Sequence, residues 1–239
     1  MALKPKRKAL YLKISTSLGL YRDIVWHASS HYEAEDIRRA LQLSDHATII
    51  VTNPLSIEAN AHSSCSLTKI LVASDTPGVV WFSPYGGRFR SKTPGQLDVV
   101  FLSRIARMKN LDGALWYLRG LHGQVRFDIY GPIEDAAYWE QCRRLIAQLP
   151  ANVQVSYCGE VPHEAVLSTL ASYHLFLLPT RGENFGHVIH EALSAGCPVL
   201  ISDRTPWRDL ERLGVGWDLP LEEPERFCAI LQRCVDMDA

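Results

Sequence analysis

The sequence predicts an α/β fold of the Rossmann-like, doubly wound kind: a parallel sheet wrapped by helices, preceded by a shorter α/β remnant. Three observations point there. From Leu97 onward, short apolar runs alternate with segments of helical spacing. Those runs are continuously apolar rather than alternating, the pattern of strands covered on both faces. Prolines 132, 162, 179 and 206 stand at the junctions, where they end strands or open helices.

Taken in order, the first half reads as a helix at Leu10–Leu20, a short strand at Asp23–His27, a helix at Glu33–Leu41 and a strand at Ala47–Val51. That is too little for a complete second sheet. Ser56–Gly95 is rich in Ser, Pro and Gly, and Ser83-Pro84-Tyr85-Gly86-Gly87 reads as linker or long loop. Strands then follow at Leu97–Leu102, Val125–Tyr130, Val153–Cys158, Leu175–Leu178, Val199–Ile201 and Val215–Leu219. Helices are expected between them at Asp112–Leu121, Asp135–Leu149, His163–Ser172, Val188–Ala195 and Trp207–Leu213, with a last one at Glu225–Asp236. The chain thus divides into a remnant at 1–57, a linker at 58–95 and a Rossmann-like domain at 96–239. In such sheets the ligand crevice lies beyond the carboxyl ends of the strands. The chemistry is therefore sought in the loops after Leu102, Tyr130, Cys158 and Leu178.

Composition narrows the function classes. The 239 residues carry a formal net charge of −1 with 47% hydrophobic content, as a soluble globular chain does. That balance argues against a dedicated nucleic-acid binder. The basic run Lys4, Lys6, Arg7 and Lys8 reads either as a solvated cluster or as a peripheral contact with an anionic membrane surface. Six scattered cysteines, Cys158 among them in an apolar run, read as buried reduced thiols. No apolar run reaches the length of a membrane span, and no signal-peptide core follows the basic start, so a cytoplasmic location is expected. The nine histidines show no metal spacing. His187 and His190, three apart on one helix, read as helix-face residues rather than ligands, and no metal is expected.

The densest motif is Leu178-Pro179-Thr180-Arg181-Gly182-Glu183-Asn184-Phe185-Gly186-His187-Val188-Ile189-His190-Glu191. A strand enters a Gly-containing turn, and a helix begins near Gly186, where unpaired N–H groups favour an anion or a polyhydroxyl ligand. Were the stretch helical throughout, Glu183 and Glu191 would stand two turns apart, roughly 12 Å. That span suits two hydroxyl-bearing rings joined by a diphosphate. Singly, the two carboxylates read as a helix cap and a surface residue. A second signal is Ser103-Arg104-Ile105-Ala106-Arg107-Met108-Lys109-Asn110, where Arg104 and Lys109 follow a strand and can converge on one diphosphate.

Glu183 to Glu191 resembles the paired-glutamate motif of the family 4 retaining glycosyltransferases, which have the two-domain GT-B fold. The resemblance extends to Ser194-Ala195-Gly196-Cys197-Pro198-Val199, Ser202-Asp203, Pro206-Trp207, Gly131-Pro132 and Tyr157-Cys158-Gly159-Glu160-Val161. Arg104 and Lys109 look like the family's diphosphate clamp, with Ser103 where glycine is usual. The resemblance implies that Glu183 contacts donor-sugar hydroxyls and Glu191 the ribose. It further implies that the backbone of Asn184, Phe185 and Gly186 meets sugar and phosphate, and that Val161 lies near the base. The implied reaction moves a hexosyl group from a nucleoside-diphosphate sugar to a glycan or lipid-linked acceptor of the cell envelope, with retention and without a metal. Arg104, Lys109 and Glu183 would carry the catalysis.

Against that pattern, Trp26 to Ala34 and Thr52-Asn53-Pro54-Leu55 look like the end of the family's N-terminal domain, and the strands and Gly-rich loop that precede them there have no counterpart here. The alternative expectation is therefore a nucleotide-sugar-binding fragment that lacks the acceptor domain, completed by a separate N-terminal part or prone to self-association. A sugar-nucleotide epimerase on the same fold is a third reading, which the paired glutamates and Pro206-Trp207 disfavour.

Overall fold

The computed structural model describes residues 92–237 and, ahead of them, residues 26–28, 35, 37–39 and 49–51. The chain divides into two units, Met1–Asn60 and Ala61–Ala239. In the first, β1 (Trp26–Ala28) and β2 (Ile49–Val51) pair in parallel, with helical residues at 35 and 37–39 between them in sequence. Parallel pairing requires such a crossover, which two-residue turns cannot make. The helix expected at Leu10–Leu20 and nearly all of the expected linker fall outside the described residues.

The second unit is built on β3 (Gln96–Leu102), β4 (Gln124–Tyr130), β5 (Val153–Gly159), β6 (Leu175–Leu178), β7 (Val199–Ser202) and β8 (Gly216–Leu219). Its helices are α1 (Leu111–Tyr117), α2 (Ala136–Ile146), α3 (Val166–Leu170), α4 (His187–Ser194) and α5 (Pro224–Asp236). All six strands run parallel in the order β5-β4-β3-β6-β7-β8. The chain starts at β3, builds outward to β5, then returns to lay β6 on the other side of β3. This is the doubly wound Rossmann order, and its direction reverses between β3 and β6. At that switch point the chains leaving two adjacent strands diverge and open a crevice at their carboxyl ends.

The strands at the centre are buried as their apolar runs require. Every residue of β6 and β7 is buried, as are Val99, Val100 and Phe101 of β3. The ring of Tyr117 on α1 stacks on Phe227 of α5 with centroids 4.6 Å apart, which closes the sheet's flank. Burial there pushes the Tyr117 phenol up to about 12. Asp135 caps α2 by accepting from the Tyr138 N–H at 2.9 Å, and Pro224 opens α5 at a position where its missing N–H costs nothing.

Three expectations need correction. First, Trp207–Leu213 is not a helix: the stretch is irregular until a turn begins at Leu210. Side-chain contacts and a left-handed residue turn the backbone out of a helical path. The Thr205 hydroxyl accepts from the Trp207 N–H at 3.2 Å, the Asp218 carboxylate accepts from the Leu210 N–H at 3.0 Å, and Asp209 sits in the left-handed region at φ 59°. Second, β5 is not covered on both faces. Among the described residues it pairs with β4 alone, as an edge strand does, and Gln154, Ser156, Tyr157 and Cys158 are exposed. Cys158 is accordingly a surface thiol, whereas Cys142, Cys197 and Cys234 are buried; burial pushes the thiols of Cys142 and Cys234 up to about 11. Third, the segment expected as one helix at His163–Ser172 is a 3₁₀ turn at His163–Ala165 followed by the short α3.

Gly131 ties the exits of β3 and β4 together at the crevice end. It has φ 128°, and a Cβ there would stand 2.1 Å from the Ser103 carbonyl oxygen. That close approach lets the two chains stay paired beyond the strands, with the Ile105 N–H donating to the Pro132 carbonyl at 2.8 Å. Gly131→Ala is expected to lower unfolding stability by about 2–4 kcal/mol, from backbone strain and a clash that neither chain can relieve. Gly120→Ala, with nothing within 4 Å of its Cβ, should stay within about 0.5 kcal/mol of the parent. Urea midpoints of the two variants check both.

Candidate functional site

Two loops face each other across the switch point. One leaves β3 and runs from Ser103 to Asn110; the other leaves β6 and runs from Pro179 to Gly186. They are joined by buried and half-buried polar contacts. The Met108 carbonyl accepts from the Arg181 N–H at 2.7 Å and from the Thr180 hydroxyl at 3.1 Å. The carboxamide of buried Asn110 donates to the Pro179 carbonyl at 2.8 Å and accepts from the Arg181 guanidinium at 3.0 Å. Asn110 adopts φ 58°, ψ 42°, a left-handed conformation that few side chains except asparagine tolerate. Gly113 is required beneath it, because a Cβ there would meet the Asn110 carboxamide at 2.6 Å.

This seam brings Lys109 and Glu183 into direct contact, ammonium against carboxylate. Both side chains are well buried, with exposures of 10% and 12%. The Lys109 N–H donates to the Ala106 carbonyl and the Glu183 N–H to the Arg204 carbonyl, each at 2.9 Å, so both backbones are pinned. Glu183 lies on the loop four residues ahead of α4, not on the helix, so the two-turn spacing argument does not describe its separation from Glu191. Nor does it cap α4. The N-cap is Gly186 at φ 76°, and no side chain caps the helix.

The turn into α4 is held by Trp207. Its indole N–H donates to the Phe185 carbonyl at 2.6 Å, and the ring is 2% exposed. Gly186 takes φ 76°, which glycine adopts without strain, and a Cβ there would also press on the Ile189 side chain at 2.8 Å. Phe185 packs edge-on against Trp207, with centroids 6.0 Å apart. Asn184 is exposed at the mouth of the loop.

The other predicted residues have separate settings. Arg104 reaches Glu134 in the loop after β4 at 2.8 Å, with 58% of its side chain exposed, rather than turning to Lys109. Glu191 lies on α4, a quarter exposed, with the exposed His163 imidazole 4.0 Å away. Val161, partly buried, stands in the loop after β5, two residues before His163. His187 lies against Phe185 and His190 against Trp207, and among the described residues no three metal-ligating side chains gather.

Sequence reasoning assigned no role to Asn110, Thr180, Ser202 or Asp112. Thr180 and Ser202 are fully buried, and the Ser202 hydroxyl donates to the Thr180 carbonyl. Asp112 carries the seam outward: it lies 3.7 Å from Arg181 and accepts from the Tyr138 hydroxyl of α2. Burial, with that acidic acceptor second, pushes the Tyr138 phenol far up and keeps it a donor. The readable signal was asparagine directly after Lys109, since asparagine is the residue other than glycine that most readily turns left-handed.

Comparison with known proteins agrees with this architecture. The family model for glycosyl transferases group 1 matches residues 88–235. A 2-deoxystreptamine N-acetyl-D-glucosaminyltransferase from Niallia circulans is 27% identical over 211 residues, 83% of this chain and 53% of the relative. Among solved structures, Anabaena HepE in complex with UDP and glucose superposes with a TM-score of 0.64 at 17% identity, over 95% of this chain and 58% of that one. WaaG, a glycosyltransferase of lipopolysaccharide biosynthesis, gives 0.61 at 14% identity, over 88% and 53%. The chain therefore spans little more than half the length of these relatives. With the family model covering well over half of its residues and its sheet in the Rossmann-like order of the GT-B fold, the chain belongs to the group 1 glycosyl transferases.

Proposed function

We propose that this chain forms the donor-binding part of a glycosyltransferase, one that moves a hexosyl group from a nucleoside-diphosphate sugar to a glycan or lipid-linked acceptor with retention of configuration. The observation that carries the reading is the meeting of Lys109 and Glu183 at the switch point, beside the uncapped start of α4. A cation for phosphate and a carboxylate for hydroxyls lie within one side chain's reach there. Helix N–H groups nearby add further donors for negative charge.

In this reading Lys109 and Arg104 take the diphosphate, Glu183 the sugar hydroxyls and Glu191 the ribose. The backbone of Asn184, Phe185 and Gly186 lines the sugar and phosphate, and Val161 lies by the base. The acceptor hydroxyl attacks the anomeric carbon from the face the diphosphate leaves. Its proton passes to the departing phosphate oxygen, so no protein base is needed. Lys109 and Arg104 stabilise the charge that grows on the diphosphate, the role a metal plays elsewhere, while Glu183 fixes the sugar's orientation. The names of the relatives support sugar transfer, and HepE shows UDP and glucose held on this fold. The setting that suits the reading is the cytoplasm, with the basic run at Lys4 to Lys8 against the inner face of a membrane.

Calorimetric titration with UDP, GDP, ADP and their nucleosides tests the reading, and binding of none of the diphosphates would sink it. Glu191→Ala is expected to weaken the nucleotide that binds by roughly ten- to a hundredfold, the loss of one charged hydrogen bond to ribose. An unchanged affinity would remove Glu191 from the ribose. Lys109→Ala and Arg104→Ala should each cost more for the diphosphate than for the nucleoside. The loss at Arg104 should shrink steeply with salt and that at Lys109 little, because their exposures are 58% and 10%. Equal losses for nucleoside and diphosphate would place both cations outside the site.

A further inference from the structure

We infer that the Lys109–Glu183 pair is a latch that makes the site accept a sugar only when it arrives on a diphosphate. The inference rests on the donor-binding reading above and deepens it, by assigning the selectivity to one contact. With no ligand bound, each of the two groups is the other's partner, and both are nearly removed from water. A buried ion pair has two stable conditions: intact, or with both members given new partners. Leaving either member alone is what the surroundings penalise.

The backbone geometry confines the change to the side chains. Lys109 is held between Met108, whose carbonyl takes two hydrogen bonds, and buried Asn110. Glu183 is held through its own N–H on the Arg204 carbonyl. Neither loop needs to move for the two side chains to part.

Three ligands then meet the site differently. A free sugar offers only neutral hydroxyls, which are weaker partners for a carboxylate than the ammonium it already holds, so the latch stays closed. A nucleoside diphosphate draws Lys109 away, but leaves the Glu183 carboxylate buried, unpaired and close to a second anion. A diphosphate-linked sugar supplies both new partners at once: phosphate oxygens for Lys109 and hydroxyl donors for Glu183. The carboxylate thereby acts against the bare leaving group as well as for the sugar, which favours release of the nucleoside diphosphate once the sugar has gone.

The test compares the parent with Glu183→Gln, titrated with UDP, uridine and UDP-glucose, or with the GDP or ADP series if that base binds. Glu183→Gln is expected to bind UDP about fivefold or more tightly than the parent, because the opposing charge is gone. Uridine should be unchanged, and the preference for UDP-glucose over UDP should fall. Without ligand the variant should melt lower than the parent, since buried Lys109 loses the charge that offsets its own, and UDP should raise its melting temperature by more. Should Glu183→Gln not fold, Glu183→Asp serves, because its shorter side chain withdraws the carboxylate from Lys109 and should also tighten UDP. Tighter UDP binding with unchanged uridine supports the latch. A parent that binds UDP together with a variant that binds it equally or less well overturns the latch and leaves the donor-site reading standing. A parent that binds none of UDP, GDP and ADP overturns both.

Discussion

The crevice exists because β3 and β6 are hydrogen-bonded neighbours whose following chains leave in opposite directions, and polar contacts hold its two walls together. Apolar packing can close a sheet's flank, but it does not specify where a loop's backbone stops. Here the Met108 and Pro179 carbonyls, the Thr180 hydroxyl and the Asn110 carboxamide are mutually satisfied across the seam, and the Ser202 hydroxyl braces one wall by donating to the Thr180 carbonyl. Each such bond contributes only about 1 kcal/mol net, yet leaving one of these groups unpaired costs about 1–3 kcal/mol. The seam is therefore close to all-or-none. That property places Lys109 against Glu183 rather than merely on the same side of the molecule.

The charges of the site fall into two classes with different physics. Arg104 and Glu134 form a largely exposed pair, which contributes little to stability and exchanges partners cheaply. Lys109 and Glu183 form a buried pair, whose formation has already cost the hydration of both ions. In the proposed latch the exposed cation follows a ligand in and out, while the buried one commits only when both members of its pair gain new partners. Asp112 links the loop to α2, lying 3.7 Å from Arg181 and accepting from the Tyr138 hydroxyl. Trp207 does the same for the start of α4, where its indole N–H fixes the Phe185 carbonyl.

The sheet is asymmetric, and the site lies on its well-packed part. β6 and β7 are buried throughout and β3 over Val99–Phe101, whereas β5 at one edge exposes most of its side chains. The loop that carries Val161 and His163 leaves from this edge, so it starts from the less constrained end of the sheet. Glu191, on α4, is approached from that loop by the His163 imidazole at 4.0 Å. The two ends of the proposed nucleotide site thus differ in setting: the phosphate end lies at the hydrogen-bonded seam, and the base end on the loop that leaves the exposed edge strand.

Read alone, the sequence determined the fold class and the order of the six strands from β3 to β8. Continuous apolar runs between helical segments leave a buried parallel sheet as the economical way to cover them, and the glycines at 131 and 186 mark where chains must come close. It did not determine Trp207–Leu213, where helical spacing is genuine but Thr205 and Asp218 take the backbone groups from positions a periodicity does not register. Nor could it show that β5 is an edge strand, because strand order depends on where the chain returns after α3 rather than on the composition of the strand. The contact between Lys109 and Glu183, 74 residues apart, was likewise a decision of the tertiary structure. It depends on the left-handed turn at Asn110 and on carbonyls that any residue could have supplied, and backbone groups leave no trace in a sequence.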